Sequence, residues 1–187
     1  MRKFFMLFSL CPVFMLLCAC SFSFQVGLQS AEVTMLGATD STLSSTKSFL
    51  VALPNDFIGD AVEQDSGFKT QQAMLEAMRA RGIKAIPSQN IRMEMLLEEA
   101  QQAQADYILA LEIARWDDPP SFFQYSLDEA QITLSVYDAS TGEALRTDSV
   151  ACHSTPTVVY GVGAGSPADC LQEGFEDWLA KVAAAVQ

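Results

Sequence analysis

Asp106-Tyr107-Ile108-Leu109-Ala110-Leu111-Glu112-Ile113-Ala114-Arg115-Trp116 is the stretch on which the fold turns. Tyr107, Leu109, Leu111 and Ile113 alternate with Ile108, Ala110, Glu112 and Ala114, and both sets are almost wholly apolar. A strand that is apolar on both sides is covered on both faces, which makes this the central strand of a sheet packed by helices.

Downstream, Ala130, Ile132, Leu134 and Val136 alternate with Gln131, Thr133, Ser135 and Tyr137, one face dry and one wet. The turn Asp138-Ala139-Ser140-Thr141-Gly142 returns the chain into Glu143 to Cys152, a more polar partner strand expected near an edge. Ser166-Pro167-Ala168-Asp169 then has the capping Ser, first-position Pro and early acid of a helix start, followed by the stripe Leu171, Phe175, Trp178, Leu179, Val182 and Val186. Upstream, Phe49 to Leu53 is a buried strand closed by Pro54-Asn55-Asp56, and Ser66-Gly67 opens a helix through Arg81 with Gly82 at its cap. Ile83 to Ile86 is a short second strand, and Ser88 is read as the cap of a helix whose inner face carries Met93, Leu96, Leu97, Ala100 and Ala103. The predicted fold is a single-domain α/β sandwich over residues 48–187, its mixed, partly antiparallel sheet packed by three helices.

The N-terminus carries an address. Arg2 and Lys3 precede an apolar run from Phe4 to Leu17, and no acidic residue occurs before Glu32. The run is shorter than the roughly 20 residues that a spanning helix needs, so cleavage is the expected fate. It ends in Leu17-Cys18-Ala19-Cys20-Ser21, which resembles the bacterial lipobox with Cys20 as the acceptor, because Leu17 and Ala19 stand three residues and one residue before it. The resemblance implies a signal peptide over 1–19, a lipidated Cys20 at the mature N-terminus and, with Ser21 in place of a retention Asp, delivery to the periplasmic leaflet of the outer membrane. Several acyl chains hold a protein to a bilayer without any spanning helix. Residues 20–47, rich in Ser, Thr, Gln and Gly, are read as the lipidated Cys and a flexible tether.

Cleavage removes two of the 11 basic residues and none of the 23 acidic ones, taking the charge from −12 to −14. Such a surface repels phosphate backbones, so no nucleic acid is expected as a partner, and it is expected to stand off anionic lipid on its tether. One His and five Cys, with three Cys before residue 21, leave no zinc-ligand spacing, and neither metal nor cofactor is expected.

The segments 105–118 and 132–142, with Ser66-Gly67 and Gly165 to Leu171, resemble an uncharacterised Gram-negative lipoprotein family, the domain of unknown function DUF4823. The resemblance covers most of the mature domain and imports no activity. In the family an arginine and a second tryptophan follow the acidic pair, whereas this chain continues Pro119-Pro120-Ser121-Phe122-Phe123, so a role for that arginine is not carried over. The layout also looks like small α/β domains of periplasmic lipoproteins that activate peptidoglycan synthases or build secretion pores, which implies protein binding.

Three candidate sites follow. Cys152 and Cys170 would meet an oxidising periplasm, where a disulfide from the penultimate element to the last helix is open beside two free buried thiols. Trp116, Asp117, Asp118, Phe122, Phe123 and Tyr125 gather aromatics and acids after the central strand, the composition of a partner-binding rim; the alternative is that Trp116 closes the core while the acids cap a turn. His153-Ser154 is adjacent in sequence, the wrong geometry for a nucleophile and its base, and Gly161 to Gly165 lacks phosphate-loop spacing. The expectation is therefore a non-enzymatic outer-membrane lipoprotein, anchored in the membrane through its N-terminal lipid, whose periplasmic domain binds an envelope protein or cell-wall component. The alternative is a lipid-anchored small-ligand binder or hydrolase.

Overall fold

The computed structural model describes residues 29–36, 43–44, 46–59, 62–117, 129–154 and 167–183. The elements run β1 (Gln29–Met35), β2 (Phe49–Val51), β3 (Phe57–Ile58), β4 (Val62–Glu63), α1 (Ser66–Ala80), β5 (Ala85–Pro87), α2 (Met93–Ala103), β6 (Tyr107–Asp117), β7 (Glu129–Asp138), β8 (Ala144–Ser154) and α3 (Pro167–Ala183). A mixed six-stranded sheet has the order β1-β8-β7-β6-β2-β5, and β3 and β4 form a separate hairpin. β2 runs parallel to both β5 and β6, while β6, β7, β8 and β1 pair antiparallel in turn. The α/β sandwich with three helices and a mixed sheet is the architecture that the sequence predicts.

α1 and α3 cover one face of the sheet, where Val51, Leu109, Leu111, Ile132, Leu134, Val136 and Val150 meet Met74, Met78, Phe175, Trp178 and Leu179. α2 covers the other face over β2 and the start of β6, with Leu96 and Ala100 against Leu50, Ala52 and Ile108. Fully burying a large apolar side chain is worth about 1.5–3 kcal/mol, so these two layers supply the main driving force.

Four expectations are corrected. β1 lies inside the segment read as a tether and pairs with β8 from Gln29↔Ser154 to Met35↔Asp148, so the folded part begins at or before Gln29 instead of at 48. Its side chains alternate Ser30, Glu32 and Thr34 with Ala31, Val33 and Met35, a half-buried edge pattern whose low charge reads as linker by composition. Leu43, also within the presumed tether, is buried in the core. β8 is consequently an interior strand, flanked by β7 and β1. Ser88 does not cap α2, whose N-cap is Arg92; its hydroxyl accepts from Asn90 N at 2.9 Å and donates to the Glu99 carboxylate.

The Ser66-Gly67 pair has a packing reason. Asp56 Oδ1 accepts from Gly67 N at 2.8 Å, and Ser66 Oγ accepts from Phe57 N at 2.8 Å, so the first turn of α1 is capped from outside the helix. A Cβ on Gly67 would lie 2.3 Å from the Pro54 carbonyl oxygen, which only glycine avoids.

Candidate partner-binding surface

β6 and β8 end, and β7 and β1 begin, at one end of the sheet, because the pairs Asp117↔Glu129, Glu129↔His153 and Gln29↔Ser154 follow from strand to strand. β2 and β5 point their C-terminal ends the same way, being parallel to β6. Trp116 pairs with Ala130 at this end, and its indole is 2% exposed within the main core cluster. Trp116 is therefore a core residue and not part of a binding rim. The register shift between Ile113 and Arg115 explains it: the bulge adds Ala114 to the strand, so Ile113 and Trp116 both face inward while Arg115 and Asp117 face outward.

On the outer face, Arg115 Nε donates to Asp117 Oδ2 at 2.7 Å and Arg115 Nη1 lies 2.7 Å from Glu129 Oε2. His153 Nδ1 stands 3.4 Å from Glu129 Oε1. Hydrogen bonding to Asp117, then the charges of Asp117 and Glu129, raise Arg115 above its ordinary value. Ser30 is in register with His153 from the other side, so Ser30, His153 and Glu129 form a row across β1, β8 and β7. Further along the same face, Gln131 Nε2 donates to Ser149 Oγ at 3.3 Å, and the hydroxyls of Ser135 and Thr147 are 3.3 Å apart. This half of the outer face, lined by hydroxyl, amide and charged groups, lies beyond the apolar patch that α2 covers.

Of the residues picked from sequence, Asp117 is exposed at this surface and Trp116 is not. Asp118, Phe122, Phe123, Tyr125, Cys20 and the 161–165 glycines lie outside the described residues. Cys152 and Cys170 are joined in a disulfide with a Cα separation of 5.9 Å, tying β8 to α3 beneath the sheet. Arg115, Glu129, His153 and Ser30 were not singled out as a group by sequence reasoning. The wet-face alternation of β7 was visible, but their convergence depends on register across three strands.

An α/β domain with one sheet face covered by described helices only in part is the class of protein that fold and surface define. The chain belongs to the family described as Domain of unknown function (DUF4823), whose model matches residues 41–182. No curated protein matches the chain. Among solved structures it is similar to the PelC dodecamer from Paraburkholderia phytofirmans, at 13% identity and a TM-score of 0.61 over 83% of this chain and 97% of that one. A variant of that dodecamer gives 12% identity and a TM-score of 0.63 over 83% and 98%. Lipoprotein GNA1162 from Neisseria meningitidis follows at 12% identity and a TM-score of 0.43, over 72% and 99%. At such identities the PelC likeness is one of fold.

Proposed function

We propose that the chain is a non-enzymatic lipoprotein, held through Cys20 in the periplasmic leaflet of the outer membrane, whose domain binds another envelope protein or a cell-wall component. The observation that carries this reading is the outer face of β1, β8, β7 and the end of β6, which no described helix covers, with its Arg115, Asp117, Glu129 and His153 cluster. A polar face already linked by its own ion pairs presents fixed donors and acceptors to a partner with little ordering cost. PelC, which shares the fold, is a dodecamer, so this architecture lends itself to protein–protein contact, which supports the reading.

Two experiments test it. Cys20→Ala is expected to release the protein from the outer-membrane fraction, and unchanged fractionation refutes the anchor. A photo-crosslinker at Gln131 in intact cells is expected to capture one defined partner that Asp117→Ala with His153→Ala loses; no adduct from any outer-face position refutes the binding face.

The row Ser30, His153, Glu129 favours one second reading, a lipid-anchored hydrolase, because a serine is in register with His153 while Glu129 Oε1 lies 3.4 Å from its Nδ1. Labelling by a fluorophosphonate probe that disappears in Ser30→Ala would establish it in place of the first.

A further inference from the structure

We infer that the end of the domain carrying the β3–β4 hairpin and the first turn of α1 rests on the lipid surface, with Ile58, Val62 and Phe68 at the headgroup–acyl boundary. The inference rests on the Cys20 anchor proposed above and concerns how the anchored domain is oriented.

Three observations carry it. Ile58, Val62 and Phe68 are 75%, 55% and 55% exposed, the cost of which in water is removed by an apolar surface. They are displayed by a braced segment. Ile58 pairs with Val62 across the hairpin, and Phe57 packs against the core. The Asp56–Gly67 and Phe57–Ser66 hydrogen bonds lock hairpin and helix start together. A Cβ on Gly59 would approach the Phe57 ring to 2.9 Å, so the ring closes over the hairpin at that glycine.

The second observation is the position of the chain's entrance. Eight residues separate Cys20 from Gln29, and a chain of that length spans at most about 30 Å. That replaces the long tether expected from composition and brings the domain down to the bilayer.

The third is direction. Gln29 stands at the end of the sheet toward which β2 and β6 point, and the hairpin follows β2 and contacts β6. β6 lies three strand spacings from β1, roughly 15 Å, and β2 ends level with Leu109, short of the Asp117 end, so it is the reach of the linker, up to about 30 Å, that lets hairpin and anchor meet one surface. The turn between β7 and β8, at Ser140, points to the opposite end.

Glu63 and Asp65 outnumber Lys69 beside the apolar residues, so the surface that fits is zwitterionic, and anionic lipid weakens the contact.

The test uses the full lipidated protein in vesicles of phosphatidylethanolamine and phosphatidylcholine, with a polarity-sensitive fluorophore on Ile58→Cys or on Ser140→Cys. Ile58 is exposed, so its replacement leaves the core intact, and an unchanged melting curve checks this. The emission at position 58 is expected to shift to the blue, to be quenched by brominated acyl chains and to be shielded from iodide, while position 140 stays in water. Replacing half of the lipid with phosphatidylglycerol is expected to reduce the shift. Equal iodide quenching at both positions on a vesicle-bound protein overturns the inference and leaves the anchor standing, whereas an intact mass without acyl groups on Cys20 overturns both. Shielding that appears only after envelope proteins are added assigns the hairpin to a protein partner and overturns the lipid contact.

Discussion

Trp178 Nε1 donates a 2.7 Å hydrogen bond to Asp148 Oδ2 across the seam between α3 and β8. The same carboxylate accepts from Arg146 Nε at 2.7 Å and from Arg146 Nη2 at 3.1 Å, and Asp148 and Trp178 are fully buried. An ion pair in an apolar layer is offset by its desolvation; here Arg146 and Asp148 both lie on β8, and it is the Trp178 hydrogen bond to that carboxylate that links α3 to β8.

Removing one partner of that pair exposes its worth. Asp148→Leu is expected to cost about 3–5 kcal/mol because the guanidinium loses its carboxylate in the interior. Arg146→Met added to Asp148→Leu should recover much of that loss, leaving the indole N–H to cost about 1–3 kcal/mol. Urea unfolding followed by far-ultraviolet circular dichroism measures both. A double variant as unstable as the single one would show that the charges are not what matters.

The Cys152–Cys170 bond closes a sequence separation of 18 residues. On the chain-entropy estimate such a loop contributes about 3 kcal/mol, so Cys152→Ala with Cys170→Ala should lower stability by roughly that amount. Alkylation followed by intact mass measurement tests the bond directly: the two sulfurs should resist alkylation in denaturant until a reductant is added.

Asp106 predicts an acid dependence. Ser48 N donates to Asp106 Oδ2 at 2.8 Å and Ser48 Oγ at 3.1 Å, with Lys47 Nζ 3.8 Å from Oδ1. The backbone donor is the largest cause lowering its pKa, partial burial opposes it, and the Ser48 hydroxyl and Lys47 add to the lowering. A carboxyl whose native value lies below its unfolded value adds stability above the unfolded value, and that stability is lost as pH falls through the native one. Urea midpoints should therefore drop from pH 6 to pH 3 by less in Asp106→Asn than in the parent. Identical slopes would refute the role of Asp106.

The periodicity of β6, β7, α1, α2 and α3 was legible because each has one dominant environment along its length. Trp116 was legible only as one of two alternatives, rim or core, because alternation carried forward from Ile113 sends it outward and the Ala114 bulge turns it into the core. β1 was missed for another reason: Gln29–Met35 becomes a strand by pairing with β8, more than a hundred residues away, and its own sequence carries little apolar weight. The Arg115, Glu129 and His153 cluster belongs to the same class of information, since nothing in the sequence groups the three until register sets them side by side.

Gly174 gives the sharpest test that β1 is part of the domain. A Cβ at that position of α3 would stand 2.6 Å from Val150 Cγ1 and 3.1 Å from Ala31 Cβ, so the helix rides directly on β8 and β1. Helix propensity alone favours alanine over glycine by about 1 kcal/mol, and a variant limited by propensity would be stabilised. Overpacking costs about 1–3 kcal/mol, so the expected sign of Gly174→Ala is destabilising, with the loss reduced when Val150→Ala is added to make room. Amide hydrogen exchange should also quicken in Ala31 to Val33 as α3 is pushed off the edge of the sheet. A stabilised Gly174→Ala with unchanged exchange in β1 would mean that α3 does not press on that strand.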